Sequence, residues 1–261
     1  MDIATVGGIG LGLLLVVGSI IAGPTGIGAF VDPPSLLITI GGMFAALMIT
    51  YPMKVITGLV KLTMKIFFGA SPEFGPLYQE ITEMASVARR DGILALEEKI
   101  ASLENPFLKR GLQMMVDGNP PEVISAILNK DIENMEDRHM IGNSVYKNMG
   151  GYAPAFGMVG TLIGLIQMFQ DLSDPNALGV GMATALITTL YGAFFANLFF
   201  IPMAGKLAER SAEEVLMKKM LLEGVLSIHA GDSPRIVGDK MLVYMEPADR
   251  EKVAGDDGGG E

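Results

Sequence analysis

Two stretches limit what this chain can fold into more than any other feature: residues 151–170 (GYAPAFGMVGTLIGLIQMFQ) and 178–203 (LGVGMATALITTLYGAFFANLFFIPM). Neither contains an Asp, Glu, Lys or Arg. Each reaches the roughly 20 apolar residues that an α-helix needs to cross the hydrocarbon core of a bilayer. Lipid offers an unpaired backbone amide no partner, so a spanning segment of this kind is helical. Two further apolar runs, near 3–22 and 34–52, read as spans by the same rule. The expected fold class is all-α: a polytopic membrane protein with four transmembrane helices and a helical cytoplasmic domain.

The placement of charge orients these spans. Of the 19 Lys and Arg residues, none occurs in 1–53 or in 148–205; eleven lie in 54–147 and eight in 206–252. Basic residues close to a span mark its cytoplasmic end. Both long polar segments, and both termini, are therefore expected inside. The outward links, about 23–33 and 171–177, hold Asp32, Asp171 and Asp174 and no basic residue. Before the first apolar run stand only Met1 and Asp2, so the basic start of a secretory signal is missing. The layout that follows is spans one and two in 1–52, a cytoplasmic segment in 53–148, spans three and four in 149–203, and a cytoplasmic tail in 204–261.

Composition removes several functions. The chain has no Cys, which excludes disulfides and thiolate metal sites. Two His residues are too few for a histidine-built metal centre. A net charge of −10 argues against a nucleic-acid partner. No nucleophile elbow, phosphate loop or metal-ligand cluster is present, so the chain reads as something other than an enzyme, with no cofactor.

The polar segments read as helices. Leu77, Ile81, Met84 and Ala88 form one apolar stripe, ending at Arg89, Arg90, Asp91 and a stop at Gly92. Ile93, Leu96, Ile100 and Leu103 form another, with Glu97 and Glu98 exposed, up to the break at Asn105-Pro106. A short helix is expected from Phe107 to Val116, and a new one from Pro120 or Pro121. The stretch 204–230 continues below span four to a stop at Gly231; a shorter helix follows, with Ser233 as N-cap and Pro234 in its first turn. The last ten residues, KVAGDDGGGE, have the composition of a disordered end.

Small residues crowd the spans: Gly at 7, 8, 10, 12 and 18 in the first, Gly41 and Gly42 in the second, Gly157, Gly160 and Gly164 in the third. Such faces let membrane helices approach closely. For the third span two readings stand: packing within the chain, or a seat for a partner's helix.

These residues, in this order, resemble the MotA/PomA subunits of bacterial flagellar stators, within the MotA/TolQ/ExbB superfamily. The resemblance is carried by GGMFAALMITYP in span two, VARRDGILALEE in the cytoplasmic segment, GYAPAFGMVGTLIGLI through MATALITTLYGAFFANLFFIPMAGKL, and SPRIVGDKMLVYMEPADR in the tail. It implies an inner-membrane protein, five copies of which surround a pair of MotB/PomB-type B subunits. Such a complex passes protons or sodium ions and turns a rotor. The residues agree with that division of labour. An ion crossing the membrane core needs a titratable or strongly polar relay, and these spans hold no Asp, Glu, Lys, Arg or His, so a partner must lend the carboxylate. The outward links are too short to grip the cell wall.

Within this resemblance, Thr161, Thr188, Thr189 and Tyr191 are expected along the ion path. The three threonines fall near mid-membrane at about 1.5 Å per residue, and they are a candidate seat for a transient sodium ion, since hydroxyl and carbonyl oxygens suit a hard cation. The plainer reading is a hydroxyl bonded back onto its own helix. Asn197, about two turns deeper, is left between pathway and packing. Pro154 and Pro202 are expected as hinges near the cytoplasmic face, against the plainer readings of an early-helix proline and a simple kink. Arg89, Arg90, Glu97 and Glu98 match the charged residues that the family sets against the rotor protein FliG; alone, they would pass for a solvated helix face. The second basic residue is Arg where Lys is commoner. An ExbB/TolQ-like energiser of outer-membrane processes and a non-conducting scaffold are the alternatives. The first fits less well, because those relatives resemble this chain mainly over the last two spans.

Overall fold

A computed structural model describes residues 2–69, 73–170 and 172–257. All regular structure among them is helical. The first helix, α1, is Ile3–Ala22, and the Asp2 carboxylate caps it by accepting from the Thr5 amide. A short 3-10 turn, Ile27–Phe30, leads to α2, built from Pro33–Leu36, a π-helical turn Leu37–Gly41, and Gly42–Thr50. Asp32 caps α2 through the Ser35 amide, and Pro33 and Pro34 occupy the first turn, where a missing N–H costs nothing. Tyr51 and Pro52 leave the helical conformation and end α2. Then come α3 (Met53–Phe68), α4 (Phe74–Asp91), a 3-10 turn Ile93–Leu96, α5 (Glu97–Ser102) and α6 (Pro106–Val116).

Two long helices dominate the rest. The helix α7 runs without interruption from Pro121–Gln170, 50 residues. The next, α8, joins Pro175–Phe195, a π-helical turn Ala196–Phe200, and Ile201–His229. Ser233 caps α9 (Pro234–Leu242), and α10 is Pro247–Asp257. Among the described residues, four helical stretches are long and apolar enough to cross a membrane: α1, the turn and α2 together (Ile27–Thr50), and parts of α7 and α8.

Two features differ from the sequence expectation. Pro154 is no early-helix proline: it stands deep inside α7, which starts at Pro121. The chain enters span three already helical, so the first-turn reading is removed. At the far end, helix continues through Asp257 where composition pointed to disorder from residue 252. Val253 is buried in the cluster that also holds Tyr78, Val237 and Met241, and Arg250 donates to the Met245 carbonyl at 2.9 Å; both tie this helix to its unit. Residues 258–261, the glycine-rich remainder of that expectation, lie outside the described residues, as do Met1 and Asp171.

The chain divides into two compact units, each discontinuous in sequence: Met1–Ala70 with His139–Glu209, and Ser71–Arg138 with Arg210–Glu261. The division assigns α3 to the first unit, with the spans. That unit's buried cluster joins Met43 and Leu47 of α2, Ile66 of α3, Val145, Tyr146, Met149 and Ala153 of α7, and Met203 and Ala204 of α8. Its N-terminus is tied down as well. The Asp2 carboxylate pairs with Lys206 at 2.8 Å, and the Asp2 amide donates to the Phe67 carbonyl at 3.3 Å.

The second unit has a larger side-chain core. Ile81 and Met84 of α4, Leu96, Ile100, Leu108, Leu112, Ile124, Leu128, Met220, Leu221 and Val225 are all buried. Ile81 and Met84 are thus the inner half of the predicted α4 stripe, with Leu77 and Ala88 packed at its edge. Gly92, at φ 87, lets the chain leave α4 in a direction that a residue with a Cβ resists.

Candidate functional site

The site starts from the glycines of span three. A Cβ on Gly157 would lie 2.9 Å from the Thr188 carbonyl oxygen. One on Gly164 would lie 2.7 Å from the Ala185 nitrogen, and one on Gly181 2.6 Å from the Gly164 carbonyl oxygen. One on Gly192 would lie 2.7 Å from the Ala153 carbonyl oxygen and 2.9 Å from the Pro154 Cα. The glycine face of α7 therefore packs on the span of α8, backbone to backbone at Gly157 and Gly164 and against the Thr188 side chain at Gly160. Of the two readings open for that face, packing within the chain is the one observed.

Close approach of the backbones brings three hydroxyls together. The Thr161 and Thr189 Oγ1 atoms are 2.6 Å apart, and either can donate. All three threonines reach the Ala185 carbonyl: Thr161 at 3.1 Å, Thr188 at 3.2 Å and Thr189 at 3.2 Å. Thr161 also reaches the Gly157 carbonyl at 3.1 Å, and Thr188 the Thr184 carbonyl at 2.9 Å. Each hydroxyl carries one proton and two lone pairs. However those protons are shared out, the cluster is richer in acceptor capacity than in donors.

The three positions are not equivalent. Thr188 is fully buried, and its hydroxyl is bonded back onto its own helix. Thr161 is half-buried and Thr189 exposed, so the Thr161–Thr189 pair is the accessible part of the cluster. Span two supports it from behind: the Thr39 hydroxyl reaches the Ser35 carbonyl at 2.9 Å and the Thr188 carbonyl at 3.4 Å.

Tyr191 stands apart from the threonines. Its hydroxyl donates to the Phe30 carbonyl at 2.6 Å and accepts from the Asp32 amide at 3.0 Å, pinning the chain as it enters α2. Sequence reasoning missed this link, and it missed the buried pair Ser35 and Thr39. The Ser35 hydroxyl has no partner. The run Asp32-Pro-Pro-Ser, a legible helix start, was the available signal. Asn197 is exposed and bonds back to the Ala193 carbonyl at 2.8 Å, the packing reading.

The prolines occupy two different settings. Pro154 lacks the N–H that would bond the Gly150 carbonyl in a regular helix, and it lies against Gly192 of α8. Pro202 is exposed and stands two residues after the π-helical turn Ala196–Phe200, the kind of irregularity that absorbs a proline's missing bond.

The four charged residues lie in the second unit. Arg89 and Arg90 close α4, Glu97 and Glu98 open α5, and all are exposed. Arg90 is already bonded to its neighbour Asp91, at 3.0 Å from Nε and 2.8 Å from Nη2. That bond holds the Asp91 carboxyl below the usual carboxylate range and raises the guanidinium. Each pair sits where its charge suits the helix macrodipole: cations at a C-terminus, anions at an N-terminus. Among the described residues, no group of three or more His, Cys, Asp or Glu side chains is arranged to hold a metal ion.

Four spans, a charge-free seam with clustered hydroxyls and a helical polar unit define a polytopic helical membrane protein. Comparison with known proteins narrows this. Residues 99–220 match the model of the MotA/TolQ/ExbB proton channel family. Motility protein A of Borreliella burgdorferi is 39% identical, over 99% of this chain and 100% of its own length. Chemotaxis protein PomA of Vibrio alginolyticus is 39% identical, over 96% and 98%. The flagellar MotAB stator complex from Bacillus subtilis contains a chain that superposes with a TM-score of 0.87 at 35% identity, covering 95% of this chain and 98% of that one. The C. jejuni MotAB structure gives 0.88 at 27%, covering 95% and 97%. The chain belongs to the MotA/TolQ/ExbB proton channel family, and relatives that match over nearly their whole length include motility proteins of the MotA and PomA kind.

Proposed function

We propose that this chain is the A subunit of a flagellar stator, coupling the inward flow of a cation to torque on the rotor. In this reading it sits in the bacterial inner membrane with both termini in the cytoplasm. Five copies surround a pair of B subunits, which supply the membrane carboxylate and the cell-wall anchor. The supporting observation is the Thr161–Thr189 hydroxyl pair, 2.6 Å apart on a seam without an Asp, Glu, Lys, Arg or His. A hydroxyl pair can complete the coordination of a sodium ion, or of a hydrated proton, beside a carboxylate from another chain. It cannot itself hold a charge in the membrane core at reasonable cost.

In the same reading, Thr161 and Thr189 meet the ion, and Thr188 fixes their helix against span two. Tyr191 anchors the entry to span two and acts on the path only through that anchor. Pro154 and Pro202 interrupt the hydrogen-bond ladders of α7 and α8, so each helix can change its bend there as the ion site fills. Arg89, Arg90, Glu97 and Glu98 face FliG, where exposed charges steer docking more than they add affinity. The two hydroxyls favour sodium over the proton. Similarity to the motility proteins over nearly the whole chain supports a stator over an outer-membrane energiser.

The test is swimming speed against sodium concentration, at constant protonmotive force, in cells whose only A subunit is this chain. A rise with sodium that Thr161→Ala abolishes, with protein level unchanged, supports the reading. Sodium-independent swimming identifies the proton as the driver. Swimming unaltered by Thr161→Ala and Thr189→Ala alike removes the hydroxyl pair from the path. Failure to swim or to retain a one-span partner during purification removes the stator assignment.

A further inference from the structure

The helix α3 carries three distinct stripes. Val55, Leu59, Leu62 and Ile66 face the bundle. Met53, Val60, Met64 and Phe68, with Thr57 between the first two, recur at intervals of four, three, four and four and point outward. These four apolar side chains are 56–66% exposed. Lys54, Gly58, Lys61 and Lys65 form the third stripe, at intervals of four, three and four, along the far flank of the apolar one. A water-facing helix would not leave this apolar row uncovered, and a spanning helix would not carry three lysines.

The surroundings fix what covers it. The N-terminal end of α3 begins three residues after span two ends at Thr50. Near its other end, Phe67 accepts the amide of Asp2, the residue that caps span one. Both ends of α3 are therefore held level with the ends of spans, and a helix of 16 residues, about 24 Å long, lies along that level rather than through it. On the side of the apolar row away from the lysines, the row runs into an apolar groove of about 600 Å³, lined by Val60 with Leu36, Phe44, Phe195 and Phe199.

Charge names the lipid. The chain has a net charge of −10, yet no Asp or Glu occurs from residue 33 to residue 72. Among the described residues, neither Lys54 nor Lys61 is paired with a carboxylate. An acidic protein has kept Lys54 and Lys61 clear of its own acids, beside an apolar face at the membrane boundary.

We propose that α3 is an in-plane lipid-binding helix selective for anionic phospholipids. Met53, Val60, Met64 and Phe68 enter the acyl layer, and Lys54, Lys61 and Lys65 bind headgroup phosphates. The inference is independent of which ion the protein passes and of what it turns. An apolar stripe flanked by lysines is how interfacial helices bind anionic membranes. Each lysine near such a surface contributes on the order of fivefold in affinity.

The absence of Trp from the chain makes the test direct. Phe68→Trp places one reporter on the apolar row of the full-length protein. In vesicles that mix phosphatidylglycerol and phosphatidylcholine, with one or the other brominated on its acyl chain, quenching reports which lipid lies beside it. The expected result is an apparent affinity at least about tenfold higher for phosphatidylglycerol, lost on Lys54→Gln, Lys61→Gln and Lys65→Gln together and kept when all three become Arg. Equal quenching by both lipids overturns the selectivity. Quenching by neither means that protein, such as a second copy of the chain, covers the row, and it overturns the proposal outright. Should the glutamine variant fail to reconstitute, salt decides on the parent reporter. A preference that does not weaken as the Debye length falls from about 30 Å to about 3 Å is not electrostatic, and the lysine row is then not the site.

Discussion

The two compact units hold themselves together by opposite means. In the unit of spans, α7 and α8 meet through backbone atoms: a methyl added to Gly192 would lie 2.7 Å from a carbonyl oxygen. In the other unit, helices meet through side chains. There a methyl added to Gly111 would lie 3.0 Å from the end of Leu128 and 3.2 Å from the end of Val225. The solvent explains the contrast. Lipid is as apolar as a leucine side chain, so burying leucine between spans brings little, and close packing of small residues must do the work. In water, burying the same leucine stabilises by roughly 1.5–3 kcal/mol. The α7–α8 seam is intolerant of added atoms, and the core of the second unit of removed ones.

Mutations test this opposition in order of size. The largest effect is expected from Leu112→Ala or Leu128→Ala, both fully buried. Each should destabilise the second unit by about 2–5 kcal/mol, read as a drop in its melting temperature and as early proteolysis of 71–138 while the spans stay resistant. Next comes Gly192→Ala, which must move backbone and should cost about 1–3 kcal/mol, read as loss of the folded protein from detergent extracts at a lower temperature. Its counterpart Gly111→Ala meets only flexible side-chain ends. It gains about 1 kcal/mol in helix propensity, so the two effects nearly cancel. If Gly111→Ala proved as damaging as Gly192→Ala, the distinction between the units would fail. Thr161→Ala should cost least in stability among these, about 0.6 kcal/mol, the usual size of a hydroxyl bond between spans. Its large effect should fall on ion-dependent swimming instead.

The same opposition governs how much could be read in the sequence. In the second unit, Ile81, Met84, Leu96 and Ile100 all proved buried, because an apolar stripe in water has one place to go. The stops at Gly92 and Gly231 and the cap at Ser233 were legible too, since each rests on local backbone chemistry. In the spans nearly every residue is apolar, so the stripe carries no direction. Charge-free length gave the spans themselves, and depth placed Thr161, Thr188 and Thr189 together. It could not show that Thr188 turns inward while Thr189 stays open, nor that Tyr191 bonds to Phe30 and Asp32, more than 150 residues away. The continuity of α7 through Pro154 escaped for a related reason. A polar run followed by an apolar one looks like two elements, although helix is the answer to both solvents.

The smallest expected effect concerns the start of the first span, at Asp2. Its carboxylate pairs with Lys206 and accepts the Thr5 amide, and these contacts, the lysine first, hold its pKa well below the ordinary value of 3.8. A depressed carboxylate pKa means that the folded state binds the proton less readily than the unfolded one. The stabilisation is therefore fully present above the ordinary value and is lost as pH falls below it, through the folded pKa. Lys206 is raised, chiefly by the same partner, so its share is present below the ordinary lysine value of 10.5 and is lost only as pH climbs through the folded pKa above that. Between those limits the contact is insensitive to pH. A spin label near the start of α1 should show constant mobility from neutral pH down to about 4 and loosen only below that. In Asp2→Asn the low-pH loosening should vanish and moderate mobility appear at every pH. If the label loosened near pH 6 instead, a group other than this carboxylate would be holding the first span.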